Sequence, residues 1–192
     1  MNAVILVGGK SSRMGTNKAF LELKGKTFIE LQIELLREMF DEISISANTP
    51  SEYEYLNLPI FKDIYPGKGP LGGIYTSLIN SSSLHTFMLA CDMPFVGPKL
   101  IKHLKDLTKE YDVVIPKSEN GLEPLHAFYS KNCIEPIKRE LDENNLRIRS
   151  FFPQVNVKIV ELDSLASSGH FKNSIKNLNT MADYEDVTEN NC

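Results

Sequence analysis

Hydrophobic residues fall along this chain in two alternating patterns. Ala3-Val4-Ile5-Leu6-Val7 is apolar without a break and partly β-branched, which suits a strand covered on both faces. Ile43–Ala47, Thr86–Ala90, Val113–Ile115, Leu125–Tyr129 and Val155–Leu162 read as further strands, with a short one at Ile60-Phe61-Lys62. Between them the period changes. Leu31, Leu35, Leu36 and Met39 recur at helical spacing, and Thr27-Phe28-Ile29-Glu30 before them reads as a capping box. Helices are also predicted over Ile74–Asn80, over Pro98–Lys109 with its proline in the first turn, over Cys133–Glu143, and over Met181–Val187. Two stretches carry breakers instead: Pro66-Gly67-Lys68-Gly69-Pro70-Leu71-Gly72-Gly73 reads as a loop, and Pro116–Gly121 as a turn. Thr49–Tyr65 is mostly irregular, and Ser164–Asn173 reads as a polar surface loop.

Strands that alternate with helices predict parallel pairing with helical crossovers. The expectation is a three-layer α/β/α architecture around a mostly parallel sheet. No linker divides the chain, so its 192 residues are expected to form one domain.

Composition narrows the function more than the fold. A net charge of −4 argues against nucleic acid or a membrane surface as partner. Cys91, Cys133 and Cys192 are odd in number and widely spaced, so neither a disulfide framework nor a zinc site is expected. The opening apolar run stops at Gly8, too short for a signal peptide, and no segment approaches the ~20 apolar residues of a membrane span. A cytoplasmic location is expected.

The chemistry concentrates where the first strand ends. Leu6-Val7-Gly8-Gly9-Lys10-Ser11-Ser12-Arg13-Met14-Gly15 places glycines, hydroxyls and cations in one loop, and Lys18 follows. Backbone N–H groups after a strand form a seat for an anion, and cations add charge. Neither familiar phosphate loop fits. Adjacent Gly8 and Gly9 break the G-x-G-x-x-G pattern, and the first glycine of a P-loop would fall at Val4. A solvated turn bearing basic residues stands as the alternative, and Lys24 and Lys26 are read that way. Asp92 lies just past another strand, where a carboxylate can hold Mg²⁺ together with phosphates, or can simply cap the turn before Pro94. Both features belong to the carboxyl edge of one sheet, and together they describe a nucleoside triphosphate with its metal.

The loop through Lys18 resembles the nucleotidyltransferases of GT-A-like, Rossmann-like fold, and within them is most similar to the molybdenum cofactor guanylyltransferases, whose pattern is LAGG-x-S-x-R-M-G-x-D-K. Gly69-Pro70-Leu71-Gly72-Gly73-Ile74, Ala90-Cys91-Asp92-Met93-Pro94-Phe95, Pro124-Leu125-His126-Ala127 and Asn177-Leu178-Asn179-Thr180 match in order. Two positions depart: Val7 stands for alanine and Asn17 for aspartate. The resemblance implies transfer of GMP from GTP to molybdopterin, with or without its molybdate, and release of pyrophosphate. It implies a nucleotide seat at Leu6, Val7, Gly8 and Gly9, charge neutralisation by Arg13 and Lys18, and Mg²⁺ on Asp92. It also implies nucleotide contacts at Asn48, Asp63 and Gly72. Asn48 and Asp63 can instead end a strand and a turn, Gly72 and Gly73 can instead start a helix, and His126 is read as a packed structural residue rather than a lining of the pterin side. Thr180 is read as a helix cap. Partners that deliver the cofactor or receive it as molybdoenzymes are compatible with such a product. The rival readings are a cytidylyltransferase on the same cofactor, a sugar-phosphate nucleotidyltransferase, and a nucleotide-binding adaptor without chemistry.

Overall fold

The computed structural model describes residues 1–8, 17–23 and 25–164. Gly9, Lys10, Arg13, Lys24, the Asn177–Thr180 motif and the expected helix Met181–Val187 lie outside the described residues.

The central sheet is built from β1 (Asn2–Val7), β4 (Glu42–Ala47), β5 (Ile60–Phe61), β6 (His85–Ala90), β7 (Val113–Ser118), β8 (Gly121–Leu122), β9 (His126–Ser130) and β10 (Val157–Glu161). A separate two-stranded ribbon pairs β2 (Glu22–Leu23) with β3 (Lys26–Thr27). The order across the sheet is β10-β7-β9-β6-β1-β4-β5, with β8 paired to β7. β1 is parallel to both β4 and β6, β4 to β5, and β7 to β10, while β9 runs antiparallel to its neighbours β6 and β7. The sheet is therefore mostly parallel, as the alternation of elements predicts.

Among the described residues four helices cover it: α1 (Phe28–Arg37), α2 (Gly69–Asn80), α3 (Pro98–Leu107) and α4 (Ile134–Asp142). Alternate residues of β1 separate the two layers. Ala3, Ile5 and Val7 pack with Ile29, Ile33 and Leu36 of α1 and Leu100, Ile101 and Leu104 of α3. Val4 and Leu6 pack on the other face with Leu71, Ile74 and Leu78 of α2 and Ile137 and Leu141 of α4. Each fully buried side chain of this kind contributes roughly 1.5–3 kcal/mol, so both faces of the sheet are strongly held.

The helix starts follow from local chemistry. Thr27 accepts from the Glu30 N–H, and the Glu30 carboxylate accepts from the Thr27 N–H, which forms the expected capping box of α1. Pro98 opens α3 at a position where a missing N–H costs nothing.

Three differences from the sequence expectation have a local physical cause. First, α2 begins at Gly69 and not at Ile74, because Pro70 occupies its first turn and Gly72 and Gly73 sit in the helix itself. Second, β7 runs on through Pro116 to Ser118 instead of turning there. Pairing with β9 ends at Val114, so the proline lacks an N–H where no partner waits, and its carbonyl accepts from Glu123 at 2.9 Å. Third, the last strand starts at Val157, since a 3-10 segment over Ile148–Gln154 consumes the chain before it.

One topological feature positions the site. The connection from β1 runs to β4 and β5 on one side, and then crosses to β6 on the other. Such a reversal leaves a crevice outside the carboxyl ends of the two central strands, which is where open α/β sheets hold ligands.

Candidate functional site

The two strands at the crevice are β1 and β6, paired with Leu6 opposite Ala90. The Cys91 N–H donates to the Leu6 carbonyl at 3.2 Å, so the exits of the two strands are tied together. Gly8 follows β1 directly, and its backbone hydrogen-bonds toward the Cys91 sulfur. Asp92 comes next on the β6 side.

Lys18, ten positions after Gly8 in the chain, also reaches this point. It opens a short 3-10 turn, Lys18–Phe20, capped by the Asn17 side-chain oxygen, which accepts from the Ala19 N–H at 3.2 Å. The Asn17 amide donates to Glu52 at 2.9 Å and to the Tyr53 hydroxyl at 2.7 Å, and Tyr53 stacks on Phe20. From this footing the Lys18 ammonium meets the Asp92 carboxylate at 3.2 Å, with side chains 16% and 24% exposed. Both groups are accessible enough to meet a ligand and sheltered enough for their charges to count. The Asn17 amide thus donates a bond to Glu52 that a carboxylate in its place could not make.

A second group lies across β4, β5 and the start of α2. The Asn48 amide donates to the Asp63 carboxylate at 2.8 Å, and the Ser46 hydroxyl approaches the other Asp63 oxygen at 3.4 Å. Gly73 packs so closely that a Cβ there would lie 2.6 Å from Leu6 Cδ2 and 3.9 Å from an Asp63 oxygen. At Gly72 a Cβ would stand 3.0 Å from the Tyr65 carbonyl. Leu6 therefore touches both groups, through its carbonyl to Cys91 and its side chain to Gly73.

The structure thus brings Leu6, Val7, Gly8, Lys18, Asn48, Asp63, Gly72 and Asp92 to one edge of the sheet. It does not place His126 there as a lining group. His126 is fully buried, set edge-on to Phe87, and burial lowers its imidazole to about 3, so it is neutral near pH 7.

Two neighbours, Gln32 and Glu123, carry no motif in the sequence, and a third stands in a motif that gives it no role. Gln32 of α1, 1% exposed, donates to the carbonyls of Ala90 and Met93, both at 2.8 Å, on either side of Asp92. Its one signal in the sequence is a polar residue within the apolar face Ile29, Ile33, Leu36. Glu123 is buried just before β9, accepts from the Ser118 hydroxyl at 2.8 Å, and has its carboxyl raised by burial and by the charge of Asp92, against the Ser118 bond. Cys91 is the third. Burial, then the Asp92 charge, push its thiol up to about 12, against Lys18 and the Gly8 backbone, so it is no nucleophile at neutral pH.

Among the described residues no cluster of three or more His, Cys, Asp or Glu side chains is set to hold a metal. A lone carboxylate beside an expected triphosphate fits Mg²⁺, which keeps waters and takes one or two protein oxygens plus phosphates. No described helix is long and apolar enough to cross a membrane.

This geometry has relatives. Residues 3–157 match the family model of the MobA-like NTP transferase domain. The chain belongs to that family. A probable molybdenum cofactor guanylyltransferase of Clostridium perfringens is 40% identical over 190 residues, covering 97% of this chain and 95% of the relative. The molybdenum cofactor guanylyltransferase of Desulfosudis oleivorans is 33% identical over 187 residues, with 96% and 93% covered. Among solved structures, molybdopterin-guanine dinucleotide biosynthesis protein A of Archaeoglobus fulgidus superposes with a TM-score of 0.83 at 27% identity, covering 98% of this chain and 97% of that one. As a member of the MobA-like NTP transferase family, the chain is a nucleotidyltransferase of α/β fold, and the crevice between β1 and β6 is its candidate active site.

Proposed function

We propose that this nucleotidyltransferase transfers GMP from GTP to molybdopterin, with or without its molybdate, yielding the guanine dinucleotide cofactor and pyrophosphate. One observation carries the placement of that chemistry: Lys18 and Asp92, separated by 74 positions in the chain, meet at 3.2 Å at the topological switch point. Full-length similarity to guanylyltransferases supports the choice of substrates.

The parts divide by charge. Leu6, Val7, Gly8 and Gly9 seat the nucleotide, since a glycine-rich stretch after a strand suits an anion. Asn48, Asp63 and Gly72 bound the seat on the side of β4, β5 and α2. Asp92 is the residue that would hold Mg²⁺, and the metal would supply Lewis-acid charge compensation at the phosphates. Lys18 pairs with Asp92. With GTP present, its ammonium turns to the phosphates and neutralises charge that grows on the departing pyrophosphate, together with Arg13. The attacking group is a phosphate monoester oxygen of molybdopterin, already anionic at pH 7. It forms the new P–O bond at the α-phosphorus as the bond to pyrophosphate breaks. No protein nucleophile is needed, and Cys91, the nearest thiol in sequence to Asp92, stays protonated. Positioning and charge compensation supply the acceleration.

The same reading places the protein in the cytoplasm, without nucleic-acid or membrane partners, and hands its product to a delivery protein or a molybdoenzyme. Purified protein incubated with molybdopterin, Mg²⁺ and either GTP or CTP tests the reaction. Pyrophosphate release with GTP and little with CTP is the expected result. A preference for CTP would reject the guanylyl assignment, and GTP binding without pyrophosphate would favour an adaptor.

A further inference from the structure

The turn that carries Asp92 is tied at both ends to one side chain. Ala90-Cys91-Asp92-Met93 closes with the Met93 N–H on the Ala90 carbonyl at 3.4 Å, a long bond that alone holds a turn loosely. Gln32 Nε2 donates to that same carbonyl and to the Met93 carbonyl, each at 2.8 Å. Both partners are acceptors only, so the amide nitrogen must face them and the orientation of the side chain is fixed by chemistry. Its two N–H bonds form a fork that sets the separation of the turn's ends.

The base of the fork is rigid. Gln32 follows the capping box at Thr27, on a helix whose buried face includes Phe28, Ile29, Ile33 and Leu36. Its Oε1 finds no partner among the described residues. A polar amide on the buried face of a helix costs more than an apolar side chain of its size, so this position is not optimised for packing alone.

We propose that Gln32 is a positioning residue: it holds the Asp92 carboxylate in register with Lys18 and the nucleotide by clamping the Ala90–Met93 turn to α1. The assignment rests on the guanylyltransferase reading above. Gln32 touches no substrate; it acts through Asp92. Loss of the fork lets the carboxylate move by a fraction of an ångström or more, and misplacement on that scale weakens the chemical step.

A double-mutant cycle tests this. Gln32→Met keeps volume and removes the donors. It is made alone and together with Asp92→Asn, and pyrophosphate release from GTP is followed in all four proteins. Expected is a fall in kcat of about ten-fold when Asp92 is intact and under about two-fold when Asp92→Asn is already present, with KM for GTP little changed and the Mg²⁺ concentration for half-maximal rate raised. Amide hydrogen exchange over Cys91–Met93 quickens in Gln32→Met, while β10 keeps its protection. Equal falls in both backgrounds, or no fall at all, would overturn the proposal. Gln32→Asn, whose shorter amide reaches one carbonyl at most, lies between wild type and Gln32→Met, and carries the cycle should the methionine variant not fold. If the wild-type chain releases no pyrophosphate, the guanylyltransferase reading fails, and hydrogen exchange then judges the clamp alone: unchanged exchange in the turn overturns it.

Discussion

Charge at individual residues decides what the crevice can do. Asp92 and Lys18 offer one carboxylate and one ammonium, part-buried and paired. Replacing the carboxylate by an amide of the same shape keeps the turn and removes its charge. Asp92→Asn is expected to lower turnover more than ~100-fold, as loss of a main electrostatic element does in other active sites, with thermal unfolding near that of wild type. Turnover close to wild type would remove Asp92 from the mechanism. Asn17 makes a subtler case. Its amide donates to Glu52, so Asn17→Asp sets two carboxylates against each other beneath Lys18. A loss of about five-fold in turnover is expected, equivalent to one spoiled hydrogen bond. Glu52→Gln in the same chain should restore most of it. Lys18 and Asp92 are legible in the sequence because they stand in patterned stretches after strands. Gln32 and Glu123 are not, since the partners that give them meaning lie 58 or 61 positions away for Gln32, and for Glu123 include Asp92 in a different loop.

Among the elements, α2 shows how packing overrides local signals. Gly69–Gly73 contains Gly69, Pro70, Gly72 and Gly73, four of the six breakers of the expected loop, yet forms the first turns of a helix. Close approach explains it: Gly73 leaves room for Leu6, and Gly72 for the Tyr65 carbonyl, contacts that no sequence pattern displays. Helix propensity alone predicts that Gly73→Ala stabilises by about 1 kcal/mol. The contact at 2.6 Å to Leu6 Cδ2 opposes this, since overpacking costs about 1–3 kcal/mol. Thermal unfolding should therefore show no gain in Tm, and GTP should bind more weakly because Leu6 is displaced. A clear rise in Tm would mean that Leu6 yields freely. The strands are legible from their apolar runs. Pro116 hides the length of β7: it stays in register with Val160 of β10, and a proline is tolerated there because pairing on its other side, with β9, has already ended.

At the scale of the whole molecule, alternation of elements predicts layers and parallel strands, but not the order β10-β7-β9-β6-β1-β4-β5 or the antiparallel β9. That order comes from which buried faces fit, and it is what sets β1 beside β6. β9 also brings His126 into the core, where both ring nitrogens lack partners among the described residues. An unfolded histidine titrates near 6.5, whereas burial lowers this one to about 3. Above pH ~6.5 both states are neutral and the contribution is constant. As pH falls from there toward 3, only the unfolded chain gains the proton, so stability is lost. Between pH 7 and 5 the loss from this residue is about 2 kcal/mol. Urea unfolding at the two pH values should show His126→Leu losing less than wild type by that amount, and equal losses would mean that the imidazole has a partner.

The proposed reaction requires one triphosphate–metal site at the joint exits of β1 and β6. Paramagnetic broadening of backbone amide signals by Mn²⁺ bound with GTP reads it directly. Gly8, Lys18, Cys91 and Asp92 should broaden together, and Asp92→Asn should abolish the effect. Broadening centred instead on Asn2, Glu42 and Asn80, at the opposite edge of the sheet, would contradict it.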